Sequence, residues 1–170
     1  VMNLCAHCAR IQITCCQYTD VLVTEGDIAR IAAFTGSDGF HEFRKPADPA
    51  YLNQPGDPNW ILYTVLPDGS RRVLKQKNNR DCCFLGPEGC GLPREVRPLV
   101  CRLYPLDFTE SGLTGLASGC PVHLLKPDES LLEKVGIHHD EAERWRVQLY
   151  HELRNGSIFH ENRDHLRSAG

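Results

Sequence analysis

The sequence predicts an α+β chain: a small, irregular, metal-stapled domain with one or two β-hairpins and a helical C-terminal third. Three observations carry this expectation. Nine cysteines accompany a single methionine in 170 residues, and they are spread over most of the chain. Pro, Gly, Asn and Asp punctuate the stretches between short apolar runs. Beyond Pro127 the apolar residues fall at helical spacing instead. The organisation expected is a cysteine-cluster metal-binding domain over 1–125, a helical extension packed on it over 126–156, and a flexible tail over 157–170.

Taken in order, Cys5-Ala6-His7-Cys8 reads as a C-x2-C knuckle, a tight turn that aims two sulfurs at one ion. Thr24-Glu25-Gly26-Asp27 opens like a capped helix, with Ile28, Ile31 and Ala32 on one side and Gly36 as its stop. Phe40 to Arg44 predicts a short helical piece ending at Pro46, and Pro46 to Pro58 a loop. Trp60 to Leu66 is β-branched and aromatic, Pro67-Asp68-Gly69-Ser70 is a turn, and Arg72 to Gln76 returns, which predicts a hairpin. A weaker hairpin is expected from Leu106–Phe108 and Leu113–Leu116 around Ser111-Gly112. Pro127-Asp128-Glu129 starts a short helix through Val135. Asp140 caps a longer one through Arg154, with Trp145, Leu149 and Leu153 on one face and Gly156 at its end.

A net charge of -3, with 41% hydrophobic and 24% charged residues, is the balance of a globular chain. No apolar run approaches the ~18 residues of a membrane span, and no basic face is offered to nucleic acid. The partners expected are therefore an unidentified protein or redox partner, with neither nucleic acid nor membrane. Cys5 follows Val1 so closely that no signal peptide is expected, which points to the reducing cytoplasm.

The cysteine count poses a choice between disulfides and metal ligation. Nine is odd, and the vicinal pairs Cys15-Cys16 and Cys82-Cys83 bridge one another only with strain. Metal ligation is the stronger reading. The groups are Cys5, Cys8, Cys15 and Cys16, then Cys82, Cys83, Cys90 and Cys101, then Cys120. No cysteine occurs from Gln17 to Asp81, so a site using both large groups must be closed by tertiary folding.

Cys82-x-Phe84-Leu85, Cys90-Gly91-Leu92 and Arg97-Pro98-Leu99-Val100-Cys101-Arg102-Leu103-Tyr104-Pro105, with Cys120-Pro121 after them, resemble the YkgJ-like cysteine-cluster family. Its members are described as zinc- or iron-chelating domains. The resemblance covers roughly residues 5–121 and includes an acidic helix start like Asp27-Ile28. It departs in two ways: the first group is spaced C-x2-C-x6-C-C rather than C-x2-C-x2-C-C, and Cys83 is additional. Carried over residue by residue, the resemblance implies Cys5, Cys8, Cys15, Cys16, Cys82, Cys90, Cys101 and Cys120 as metal ligands, with Cys83 dispensable.

Thiolates suit Zn(II), Cu(I) and iron–sulfur iron. Eight could form two four-coordinate sites, one cluster with spare thiols, or a zinc pair. Only one knuckle is present and the other cysteines are singly spaced, which favours an iron–sulfur cluster, [4Fe–4S], over the alternative of zinc. Four thiolates leave a charge of about -2 on either centre. Arg97 and Arg102, flanking Cys101, are the expected cofactor-binding side chains that supply counter-charge. A structural, electron-transfer or accessory module is the function expected. Two alternatives stand beside it: a zinc-binding structural or interaction protein, and a peptide- or protein-modifying enzyme. The enzyme is implied by a more distant resemblance to flagellin lysine N-methylase. No catalytic residue is identified.

Overall fold

The computed structural model describes residues 4–11, 14–120 and 122–170, without the side chains of Cys5 and Ala6. It is a mixture of helices and short antiparallel pairs, as the α+β expectation requires. Helix α1 (Leu4–Ile11) carries Cys5 and Cys8, so the C-x2-C segment is one turn of helix and not the expected knuckle turn. Helix α2 (Glu25–Thr35) begins and ends as the sequence predicts. Thr24 and Asp27 form a reciprocal capping box, and Gly36 closes the helix in the left-handed region at φ 71°.

The next stretch departs from expectation twice. His41–Arg44 is strand β1, not a helix, and it pairs antiparallel with β2 (Arg71–Leu74). Trp60–Thr64 is helix α3, not the first strand of a hairpin. Both segments have ambiguous local preferences, and long-range partners decide them. In α3, Trp60, Tyr63 and Thr64 are buried, which is helical and not strand spacing. The vacated place beside β2 is taken by Val21–Val23: Leu74 N–H donates to the Val21 carbonyl (2.9 Å) and Val23 N–H to that of Arg72 (3.1 Å). The predicted Pro67–Ser70 turn is present, closed by Gly69 N–H donating to the Leu66 carbonyl at 2.8 Å.

The remaining pairs are β3 (Leu85–Gly86) with β4 (Gly89–Cys90), and β5 (Leu106–Thr109) with β6 (Gly112–Leu116). The second is the weaker hairpin expected from the sequence. Helix α4 (Leu99–Leu103) lies between them in the chain. The C-terminal third contains α5 (Leu131–Val135), α6 (His139–Asn155) and α7 (Ser157–Ser168). The stretch expected to be a flexible tail is therefore helical. Ile158 and Asn162 of α7 are buried, and Asn162 Nδ2 donates to the carbonyls of Leu62 (2.9 Å) and Val65 (2.6 Å). These bonds cap carbonyls at the end of α3, which explains why a polar stretch packs here.

Two apolar clusters form the interior. One joins Leu22, Trp60, Tyr63, Leu99, Leu103 and Leu106 to the Trp145–Leu149–Leu153 stripe of α6. The other joins Val21, Val23, Ile31, Phe40, Leu74, Leu85 and Leu92 to the cysteines. The extended segment 21–23 feeds alternate side chains into both, as a strand does. Helix α4 does the same, giving Leu99 and Leu103 to the first cluster and Val100 and Cys101 to the second. No helix among the described residues is long and apolar enough to cross a membrane.

Candidate metal centre

Cys16, Cys82, Cys83, Cys90 and Cys101 pack into the second cluster, although they come from four separate segments. Backbone bonds explain the convergence. Cys82 N–H donates to the Cys16 carbonyl at 2.7 Å, with Gln17 and Asp81 bridged beside it, so the two vicinal pairs lie against each other. Leu85 N–H donates to the Cys82 carbonyl at 2.9 Å, and Leu85 then pairs with Cys90 across β3 and β4. The insert between the cysteine groups therefore returns to its starting point.

Cys101 is brought in by α4, and α4 is held by a carboxylate. Asp27, with no exposed surface, accepts the Leu99 N–H at 3.0 Å on Oδ1 and the Thr24 N–H at 3.0 Å on Oδ2. Arg30 donates to Asp27 Oδ1 and to Glu152 Oε1, each at 2.6 Å. Gln148 Nε2 donates to Glu152 at 2.8 Å, and Thr24 Oγ1 also donates to Glu152. A Cβ at Gly26 would run into this Glu152 carboxylate, so glycine is what lets α2 approach α6. Burial pushes the Asp27 carboxyl up, opposed by the Thr24 N–H and the Arg30 guanidinium. Glu152 is held below its ordinary value: burial raises it, but hydrogen bonds from Arg30, Thr24 and Gln148 outweigh that. Asp27 was legible in the sequence as a helix cap; its second partner, Leu99, was not.

The electrostatics of the thiols follow from this packing. The Cys82 thiol is lowered to about 7, first by the Cys83 thiol beside it, then by the backbone N–H groups of Phe84 and Leu85 and by Lys77, against the effect of burial. Cys16 is lowered by its contact with Cys15 and by Arg97, opposed by burial and by Cys82. Burial raises Cys90, offset in part by the Leu92 N–H and Arg97. Cys101 is pushed well up by burial and then by Cys16, Cys82 and Cys90. Cys83 is raised by its contact with Cys82, and its sulfur lies 3.8 Å from the Phe40 carbonyl oxygen.

The predicted arginines separate. Arg97 acts on Cys16 and Cys90 while its Nε donates to the Leu92 carbonyl at 2.9 Å, which fixes the guanidinium. Arg102 is buried and turns to backbone, donating to the carbonyls of Arg97 (2.8 Å) and Glu95 (2.6 Å). It thereby braces the turn between Cys90 and Cys101.

Cys8, Cys15 and Cys120 all act on the Tyr104 hydroxyl. Burial raises the Tyr104 phenol, and Cys120, Cys15 and Cys8 raise it further. The peptide between Tyr104 and Pro105 is cis. The side chain of Cys5 lies outside the described residues.

Among the described residues no three His, Cys, Asp or Glu side chains are drawn together closely enough to hold a metal ion. Vicinal thiols pair with each other instead, Cys15 with Cys16 and Cys82 with Cys83. What would suit a metal is the donor set: backbone N–H groups directed at the Cys82 and Cys90 sulfurs, with Lys77 acting on Cys82 and Arg97 on Cys90 and Cys16. Such donors stabilise thiolate over thiol and offset the charge of a thiolate centre. A cavity of about 360 Å³ is formed by the Leu52–Pro58 loop with Trp60 and Ile61, and no cysteine lines it. No family model, curated protein or solved structure matches the chain.

Proposed function

We propose that this is a metal-binding cysteine-cluster protein in which Cys16, Cys82, Cys90 and Cys101 hold an iron–sulfur cluster, [4Fe–4S]. The observation that carries the reading is that four cysteines from four segments meet inside one packed cluster, with backbone N–H donors on Cys82 and Cys90 and with Arg97 acting on Cys16 and Cys90. The donors around Cys82 and Cys16 favour thiolate over thiol, and a metal ion bound among the four sulfurs would supply the counter-charge that buried thiolates need. Metal binding would then replace the thiol–thiol contacts by four metal–sulfur bonds and staple the insert closed. The single spacing of the cysteines supports a cluster over a zinc ribbon. The module is structural, electron-transferring or accessory, and its resemblance to YkgJ-like domains is consistent with that.

Anaerobic purification tests this. Brown protein with an absorption band near ~400 nm that bleaches with dithionite, and iron and sulfide in equal amounts, is the expected result. Colourless protein with stoichiometric zinc replaces the cluster by a structural zinc site. Metal-free protein that folds fully overturns metal binding itself.

A further inference from the structure

We propose that the cleft between the Leu52–Pro58 loop and α3 binds a small organic ammonium ion, whose N–H donates to Asp57 Oδ1 while its apolar body lies against Trp60 and Ile61. No cysteine lines this cleft, so the proposal does not depend on the metal-binding reading.

Asp57 is the starting point. It is 5% exposed, and its Oδ2 accepts the Tyr150 hydroxyl. Its Oδ1 is buried as well and has no hydrogen-bond partner among the described residues. Burial raises the Tyr150 phenol and Asp57 raises it further, so the phenol keeps its proton and the carboxylate accepts it as a hydrogen bond. The arginines that act on Tyr150 and Tyr63 are paired elsewhere: Arg146 Nε with Glu143 at 2.7 Å, and Arg154 with Glu110 at 2.6 Å. A buried carboxylate oxygen that lacks both donor and counter-charge is costly, and it calls for a partner.

The cleft supplies a place for that partner. Its volume of about 360 Å³ falls at the lower end of the range for small-molecule sites. Leu52, Pro55, Pro58, Trp60 and Ile61 give it apolar walls, and Asp57 is its one charged lining residue. The loop is fixed before any ligand arrives. Gln54 Nε2 donates to the Phe108 carbonyl at 2.6 Å, and Asp57 N–H donates to the Gln54 carbonyl at 3.0 Å across Gly56, whose φ is 76°. Trp60 N–H donates to the Asp57 carbonyl at 3.2 Å, and the Trp60 ring lies 6.2 Å from those of Phe108 and Tyr150. Such preorganisation lowers the entropy lost on binding.

The donor set selects the ligand. A hard metal ion needs several oxygens, and apolar walls do not provide them. A guanidinium fork needs both carboxylate oxygens, and Tyr150 occupies one. A neutral donor leaves the charge unbalanced. An ammonium group on an apolar body meets all three conditions, since one N–H reaches Oδ1 and the rest buries against the walls.

Phenethylammonium is the probe, titrated into isotope-labelled full-length protein and followed by amide shifts and calorimetry. Saturable shifts centred on 52–61 are expected, with a dissociation constant of about 1 mM or below. The neutral analogue phenethyl alcohol should bind wild type about tenfold more weakly, and Asp57→Asn should weaken the ammonium by a similar factor. Ile61 is exposed, so Ile61→Arg keeps the core intact while setting a competing cation at the cleft; several-fold weaker binding is expected. Circular dichroism shows whether Asp57→Asn is folded, and Ile61→Arg decides if it is not. Equal binding of the alcohol, unchanged affinity in Ile61→Arg or in folded Asp57→Asn, or no saturable shift at 52–61 overturns the site. Metal analysis of the same samples tests the cysteine cluster separately.

Discussion

Replacing Asp27 by alanine is the substitution whose cost the structure defines most closely. The carboxylate is fully buried, and three donors converge on it: the N–H groups of Leu99 and Thr24, each at 3.0 Å, and Arg30 at 2.6 Å. Without it, the Leu99 N–H at the start of α4 has no acceptor, which costs about 1–3 kcal/mol. Thr24 loses half of its capping box, about 1 kcal/mol more. Arg30 keeps Glu152 at 2.6 Å, so no charge is stranded and the larger penalty for a broken buried pair does not apply. The sum is about 2–4 kcal/mol, a large part of the ~5–15 kcal/mol of an ordinary domain. Asparagine offers one acceptor oxygen in place of two and should recover less than half of this. Urea unfolding followed by tryptophan fluorescence is a suitable assay, because Trp60 and Trp145 share the core that α4 enters. The midpoint should fall with an unchanged slope. A loss below about 0.5 kcal/mol would refute the view that this carboxylate holds α4, and with it Cys101, in place.

Other expectations follow from single contacts. Glu152 is held below its unfolded value of 4.5, so its contribution is present above that pH and is lost as pH falls through the lower folded value. The acid limb of stability below about pH 4.5 should accordingly flatten in Glu152→Gln, measured by unfolding at a series of pH values. Asn162→Ala removes both bonds to the end of α3. It should cost about 1–3 kcal/mol and speed amide exchange across 157–168; unchanged exchange would mean that α7 is held by other contacts. Arg97→Gln removes the cation acting on Cys16 and Cys90. The bound centre should be lost faster to a chelator and, as a cluster, should become harder to reduce, which voltammetry reads as a shift to negative potential.

The sequence was most readable where structure is local. Thr24, Asp27 and Gly36 mark both ends of α2, and Trp145, Leu149 and Leu153 mark the buried face of α6, because caps and helical stripes need only neighbouring residues. The Leu106–Leu116 hairpin was legible for the same reason. Phe40–Arg44 and Trp60–Leu66 were misassigned because their partners are remote. β1 is a strand by virtue of Arg71–Leu74, and α3 is a helix because Tyr63 and Trp60 pack on Tyr150 and Phe159. In the polar stretch 157–168, a buried asparagine reaching the end of α3 leaves no periodic signal. The site divides likewise. Cysteine spacing announced that distant segments must meet, but not that Asp27 would hold the helix that carries Cys101. Nor did it separate Arg97, which acts on the thiols, from Arg102, which braces the backbone.

The central claim is that sulfur alone surrounds a bound metal. X-ray absorption at the metal edge of anaerobically purified protein reads this directly. The account predicts a first shell of sulfur only, near ~2.3 Å, with a metal–metal shell beyond it if the centre is a cluster. That signal should be diminished in Cys101→Ser. A first shell of oxygen or nitrogen, or a spectrum that Cys101→Ser leaves unaltered, would contradict it.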